Sequence, residues 1–117
     1  MKSKMICHEI NPIFYYLCKH NLANKHGVEV KLCDTFNTDI YNDKINVVIS
    51  NPPYLVNINS FSNQSYPIDD RLRATYIASS TSRNVASLYD AYYKAYRWAS
   101  DIVLRNGGLV GFISNGS

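Results

Sequence analysis

The hydrophobic positions of this chain alternate between short runs typical of strands and longer stretches with helical spacing. An apolar stretch over residues 5–8 predicts the first strand. Asn11 is a favoured N-cap and Pro12 suits the first helical position, so a helix is expected to begin there and to end at Gly27. The apolar face of this helix is predicted to comprise Phe14, Leu17, Cys18 and Leu22.

Two further strands and a long irregular region follow. The strands are predicted over residues 28–32 and 45–50, and the second contains the β-branched run Val47-Val48-Ile49, typical of a buried strand. Residues 55–86 are rich in Ser, Asn and Thr, with a short helix expected over residues 69–78. Irregular segments of this length are uncommon in compact domains and often carry function.

The pattern in the last third of the chain predicts a helix and a final strand. Ser87 is the predicted N-cap, and Asp90 would complete a variant capping box. Glycines at 107 and 108 end the helix, and residues 109–114 form the strand. The expected apolar face comprises Leu88, Tyr92, Ala95, Tyr96, Ala99, Ile102 and Val103. The charged residues Asp90, Lys94, Arg97, Asp101 and Arg105 are expected to point away from it.

This order of elements predicts an α/β fold, with a mostly parallel sheet and helices on its faces. Ligands of such sheets bind beyond the carboxyl ends of the strands. The polar residues at predicted strand ends are therefore the candidates for function: Glu9, Asp34, Asn51 to Tyr54, and Asn115.

Composition narrows the class of protein. The net charge of +3 suits a nucleic-acid partner without requiring one. Cys7, Cys18 and Cys33 are odd in number and not spaced like chelating ligands, so neither a disulfide framework nor a metal site is expected. No signal peptide or membrane span is predicted, and the expected location is the cytoplasm.

The segment INVVISNPPY carries the most specific signal, because Asn51-Pro52-Pro53-Tyr54 follows an apolar strand. As a purely structural feature it would be a rigid turn. The segment resembles the catalytic motif of amino-group methyltransferases that use S-adenosylmethionine. This resemblance implies that the Asn51 side chain and the Pro52 carbonyl accept hydrogen bonds from the target amine. Pro52 and Pro53 stiffen the backbone, and Tyr54 offers a ring face to the extracted base.

The same resemblance assigns the cofactor residues. It implies that Glu9 binds the ribose hydroxyls of S-adenosylmethionine, that Asp34 lies near the cofactor adenine, and that Asn51 adjoins the cofactor as well. As isolated residues, Glu9 would be an ordinary surface carboxylate and Asp34 a turn cap.

Residues 65–117 resemble the methyltransferase domain of single-chain restriction–modification enzymes, in which helicase, nuclease and methyltransferase parts share one polypeptide. The Ser87-Leu88-Tyr89-Asp90 segment, Arg97-Trp98-Ala99 and the Gly-Gly strand carry this likeness. It implies N6-adenine-specific methylation of a flipped base in double-stranded DNA. Loop arginines are candidate phosphate contacts, although solvated charges explain them equally well. These are Arg71, Arg73 and Arg83.

Residues 1–117 are accordingly interpreted as one partial methyltransferase domain with a Rossmann-like sheet that is incomplete at both ends. The glycine-rich cofactor turn, the target-recognition segment and any helicase or nuclease parts are expected elsewhere, and the isolated chain is expected to be an inactive fragment that binds S-adenosylmethionine weakly. Two alternatives remain open. One is a methyltransferase for release-factor glutamine or ribosomal RNA guanine, which shares the motif, and the other is a non-catalytic remnant.

Overall fold

The computed structural model describes residues 4–37, 44–52, 66–81 and 90–113. Strands and helices alternate within these ranges, as expected of an α/β chain. The strands are β1 (Ile6–Glu9), β2 (Glu29–Leu32), β3 (Val47–Ser50) and β4 (Leu109–Phe112), and the α-helices are α1 (Pro12–Cys18), α2 (Asn24–His26), α3 (Pro67–Leu72) and α4 (Ala91–Asn106). The chain divides into two compact units, Met1–Thr38 and Asp39–Ser117.

The first unit is a strand–helix–strand motif in which β1 and β2 pair in parallel, from Ile6 opposite Glu29 to Glu9 opposite Leu32. The predicted helix start is confirmed, because the Asn11 side chain accepts a hydrogen bond from the backbone N–H of Ile13 at 2.9 Å. The predicted end is also confirmed. Gly27 has a φ of 68°, a left-handed conformation that glycine adopts without strain.

The predicted apolar face of the first helix is correct for two of its four residues. Cys18 and Leu22 are partly buried as expected, but Phe14 and Leu17 are 56% and 52% exposed. Tyr15 is the partly buried aromatic residue instead. Neighbouring aromatic residues leave the phase of this helix ambiguous in the sequence, and a π-helical turn over Lys19–Ala23 changes its period before α2 begins.

The second unit places β3 and β4 side by side in parallel, from Val47 opposite Leu109 to Ser50 opposite Phe112. The backbone pairing extends past both ends of this ladder. Leu109 N–H donates to the Asn46 carbonyl at 2.8 Å, and Ile113 N–H donates to the Ser50 carbonyl at 3.0 Å. Parallel pairing is thus confirmed in each unit, whereas one continuous Rossmann-like sheet stays a prediction.

Helix α4 covers one face of the β3–β4 pair. Its residues Ala99 and Ile102 are almost fully buried and form a small core with Val48. The interpretation of Val47-Val48-Ile49 as a buried run is wrong for two of the three residues, since Val47 is 55% and Ile49 80% exposed. Strand side chains alternate between faces, and only the face that holds Val48 packs against α4.

Charged residues of α4 are buried, contrary to the expectation that they point away from the packed face. Lys94, Arg97 and Asp101 are all less than a tenth exposed. They lie on the side of α4 that packs against α3, where Asp101 binds Arg71 and Arg97 while Lys94 binds Asp69 at 2.9 Å. Buried charges persist when each has a partner, and these ion pairs fasten α3 to α4.

The N-terminal end of α4 is capped by a local polar group. The N-cap is Asp90, whose side chain accepts a hydrogen bond from Tyr92 N–H, and not Ser87, which lies outside the described residues.

The expected apolar face of α4 is confirmed for Ala95, Ala99 and Ile102. The predicted short helix is present as α3 followed by a π-helical turn over Arg73–Ile77.

Gly108 is expected to tolerate no side chain, because a Cβ built there would collide with the Asn46 carbonyl that receives the first hydrogen bond of β4. Gly108→Ala should lower the free energy of unfolding by about 1–3 kcal/mol, the usual cost of overpacking. Urea denaturation measures the change. Gly111→Ala is the matched control, since its Cβ meets nothing within 4 Å, and it should shift stability by no more than about 0.5 kcal/mol. Equal stability of the two variants would contradict the close strand approach.

Candidate active site

Asn51 and Pro52 directly follow β3, at the carboxyl end of the β3–β4 pair. The hydrogen bond from Ile113 N–H to the Ser50 carbonyl continues the pairing up to the residue before Asn51 and thereby fixes where the strand ends. Asn51 is exposed, whereas Pro52 is buried. An exposed amide side chain is thus held between a paired strand and an anchored proline ring, which is a rigid base for a polar group.

Glu9 is the last residue of β1, at the carboxyl end of the β1–β2 pair. One of its carboxylate oxygens accepts a hydrogen bond from Asn11 N–H at 2.8 Å, which links the strand end to the start of α1. The other carboxylate oxygen has no hydrogen-bond partner among the described residues. Glu9 is partly buried, so it presents an oriented negative group at this edge.

Asp34 lies two residues beyond β2, at the same edge of the same strand pair as Glu9. Its carboxylate accepts a hydrogen bond from Phe36 N–H at 3.0 Å and one from the Asn37 side chain at 3.5 Å. Asp34 therefore caps the short 3₁₀ turn over Thr35–Asn37, as the structural interpretation of this residue predicts. A contact with a cofactor would be made in addition to this role.

His8 ties the Asp34 turn to β1. Its Nδ1 lies 3.4 Å from the Thr35 hydroxyl, directly after Asp34. Burial lowers the pKa of His8, and the nearby Lys31 lowers it further. Both influences favour the neutral form of the imidazole beside this turn.

The structure brings Glu9 and Asp34 to one edge of a parallel pair and places Asn51 at the equivalent edge of another pair. The first pair belongs to one compact unit and the second to the other. That all three side chains open into a common cleft stays a prediction. Pro53 and Tyr54 lie outside the described residues.

The two described candidate arginines, Arg71 in α3 and Arg73 in the π-helical turn that follows, are engaged with carboxylates. Arg71 makes a two-pronged ion pair with Asp101, with its Nε 2.6 Å and its Nη2 2.7 Å from the two oxygens. Arg73 pairs with Asp70 at 2.8 Å, and both side chains are exposed. Arg83 lies outside the described residues. Phosphate binding by these arginines stays a prediction, and of the two described ones Arg73 is the more available.

A tyrosine-lined pocket is the feature that sequence reasoning missed. It is an open depression of about 300 Å³ lined by Tyr76, Tyr92, Tyr93 and Tyr96. The ten tyrosines of the chain were an available signal. The positions 92, 93 and 96 follow helical spacing, but the sequence does not reveal that Tyr76 from another segment joins them.

Other classes of site find no support in the part of the chain that the structure describes. No group of three or more His, Cys, Asp or Glu side chains there is arranged to hold a metal ion. Cys7, Cys18 and Cys33 are free thiols, and burial together with the neighbouring Cys18 raises the pKa of Cys7. No described helix has the length and apolar character needed to cross a membrane.

Strand–helix–strand units with polar residues at the carboxyl ends of parallel strands define an α/β protein of the kind that binds ligands at that edge. The family model described as N-6 DNA Methylase matches residues 2–115. The chain therefore belongs to the N-6 DNA methylase family, which makes it a DNA methyltransferase by class. No curated protein and no solved structure matches the chain.

Proposed function

We propose that this chain contributes the catalytic strand end of an adenine-specific DNA methyltransferase, which transfers a methyl group from S-adenosylmethionine to the N6 amine of a flipped adenine. One observation supports this proposal above the others. An exposed Asn51, backed by the buried Pro52, ends a parallel strand in a member of the N-6 DNA methylase family. The restriction-enzyme likeness of residues 65–117 supports the proposal that this activity belongs to a restriction–modification system.

The proposed chemistry depends on hydrogen-bond acceptors. The lone pair of the adenine amine is delocalised into the ring, so the nitrogen is a poor nucleophile. Acceptors for both N–H groups favour the pyramidal form, in which the lone pair is available. The Asn51 side-chain oxygen and the Pro52 carbonyl are the proposed acceptors, and their fixed positions mean that little reorganisation accompanies the reaction.

Base extraction would rest on Tyr54, which directly follows the two prolines. A nucleotide that leaves the helix loses stacking, and an aromatic side chain replaces part of it. Arg73 and Arg83 are proposed to contact backbone phosphates, since such contacts fix the register of a protein on DNA. Arg71 is proposed to join them only through its exposed edge, because Asp101 holds its guanidinium.

The residues at the β1–β2 edge suit the adenosine end of the cofactor. Glu9 has a carboxylate oxygen available to accept hydrogen bonds from ribose hydroxyls, and Asp34 lies at the same edge with a negative charge suited to an adenine amine. When bound, S-adenosylmethionine supplies an activated methyl group. Glu9 and Asp34 would orient it, and the reaction then requires mainly alignment of nitrogen, methyl and sulfur.

Membership of the N-6 DNA methylase family does not favour the alternative methyl acceptors, glutamine or ribosomal RNA guanine. A non-catalytic remnant, the other alternative, would transfer no methyl groups to DNA. The assay that separates these outcomes uses a chimaera in which residues 1–117 replace the matching segment of an active family member. Tritiated methyl groups should then appear in adenine-containing duplex DNA and not in ribosomal RNA or release factor.

Glu9→Ala in this chimaera is expected to weaken S-adenosylmethionine binding by roughly ten- to a hundred-fold, because a hydrogen bond to a charged group is worth about 1.5–3 kcal/mol. Glu9→Gln should have a smaller effect, since one acceptor oxygen remains. Isothermal titration calorimetry gives the dissociation constants. Glu29→Ala is the matched control: Glu29 lies at the opposite, amino end of β2 and should leave affinity unchanged. Equal losses for both substitutions would remove Glu9 from the cofactor site.

A further inference from the structure

The tyrosine pocket lies within the second unit, beside the strand end that carries Asn51. The ring of Tyr96 contacts the ring of Phe112 edge-on, with centroids 4.6 Å apart. Phe112 pairs with Ser50, the residue before Asn51. A chain of aromatic contacts therefore leads from the catalytic strand end into the pocket.

The rings are arranged to receive a flat guest. Tyr92 meets Tyr93 at 89° and Tyr96 at 60°, so neither pair is a parallel stack in which each ring covers a face of the other. The lining is almost wholly aromatic carbon, and the Tyr92 and Tyr96 hydroxyls bond each other at 3.1 Å. A flat aromatic ring suits such a lining better than a flexible aliphatic chain does.

The fourth ring, that of Tyr76, contacts a cation that is itself fixed in place. The Arg97 guanidinium lies 5.4 Å from the centroid of the Tyr76 ring, and Asp101 fixes that guanidinium at 2.6 Å. Arg97 and Asp101 are both buried. Tyr76 is thereby pre-organised, which lowers the entropic cost of binding a ligand against it.

We infer that the tyrosine pocket binds an unpaired nucleobase of the DNA, as a base-stacking site additional to Tyr54. The inference rests on the proposed function for the identity of its ligand. Every base presents a ring face, so tyrosine platforms bind bases with little regard to sequence. A site of this kind beside Asn51 would hold a strand opened by base flipping, when at least one base has left the duplex stack.

The test measures binding of a fluorescently labelled oligodeoxyadenylate to the 117-residue chain by fluorescence anisotropy, with the same backbone carrying abasic sites as the comparison. The wild-type chain should bind the base-containing strand more tightly. Tyr93→Ala should weaken that binding by about five- to a hundred-fold and reduce the preference over the abasic strand to what Tyr54 alone provides. Tyr93 is 37% exposed, so its removal disturbs packing least among the pocket residues.

Three further variants separate stacking from folding. Tyr93→Phe should retain wild-type affinity, because the ring face is kept. Tyr93→Leu keeps apolar volume without a ring face and should behave like Tyr93→Ala while melting near the wild-type temperature. Tyr16→Ala removes a tyrosine that is 67% exposed on α1 and should change nothing.

Equal affinity for base-containing and abasic strands, or wild-type affinity of Tyr93→Ala, would contradict the inference that the tyrosine pocket binds a nucleobase. The methyl-transfer assay of the chimaera distinguishes this failure from failure of the proposed function. If the chimaera methylates DNA and Tyr93→Ala leaves its KM for DNA unchanged, the result contradicts base binding in the pocket but not the proposed function. Base-dependent binding without any methyl transfer contradicts the proposed function and supports the pocket as a nucleobase site.

Discussion

Asn51→Ala in the chimaera should lower the rate of methyl transfer to DNA by about 10²–10³-fold, with S-adenosylmethionine affinity largely retained. The expected size follows from the loss of one pre-organised hydrogen-bonding group that acts on a reacting centre. The acceptor on Asn51 matters most as the amine becomes pyramidal, so the loss should appear in kcat. Single-turnover transfer of tritiated methyl groups, with cofactor affinity measured by calorimetry, tests this expectation.

Two variants control that experiment. Asn51→Asp keeps the side chain size but adds a negative charge, and the partial activity expected from its remaining acceptors would tie the effect to hydrogen bonding. Asn21→Ala removes an exposed asparagine from the first helix and should leave turnover unchanged. Near-normal turnover by Asn51→Ala would mean that the Asn-Pro-Pro-Tyr segment is a rigid turn without a catalytic role.

Asp101→Ala is expected to lower the free energy of unfolding of the second unit by about 3–5 kcal/mol, the range for removing one partner of a buried ion pair. Asp101 is 4% exposed and accepts hydrogen bonds from both Arg71 and Arg97. Its loss leaves the buried Arg97 charge uncompensated. Urea denaturation followed by the fluorescence of the single tryptophan, Trp98 of α4, reports this change.

The matched control is Asp70→Ala. Asp70 pairs with Arg73, but their side chains are 83% and 63% exposed. A surface pair of this kind contributes about 0–1 kcal/mol, so this variant should unfold near the wild-type urea concentration. Similar midpoints for Asp101→Ala and Asp70→Ala would contradict the role of the buried ion pairs in fastening α3 to α4.

Local signals in the sequence were enough to place the elements. Asn11 and Gly27 bound the first helical segment through a side-chain cap and a left-handed glycine, both of which act within a few residues. Strand positions followed from apolar runs, with ends within two residues of those observed. The candidate residues Glu9, Asp34 and Asn51 could be chosen because each follows such a run within two residues.

Contacts between distant segments could not be predicted in the same way. Lys94, Arg97 and Asp101 have the charges of a solvated helix face, and only the partners supplied by α3 make their burial possible. Their spacing along α4 was a usable clue, because positions 94, 97 and 101 lie on one helical face. The tyrosine pocket likewise depends on Tyr76, which meets α4 through folding and not through sequence proximity.

Mass spectrometry of nucleosides from duplex DNA incubated with the chimaera and S-adenosylmethionine identifies the methylated base. We expect N6-methyladenine as the product, with its initial rate of formation reduced by about 10²–10³-fold in the Asn51→Ala variant. Methylated cytosine in place of N6-methyladenine, or an equal yield of N6-methyladenine from both proteins, would show that Asn51 is not a catalytic residue for adenine methylation.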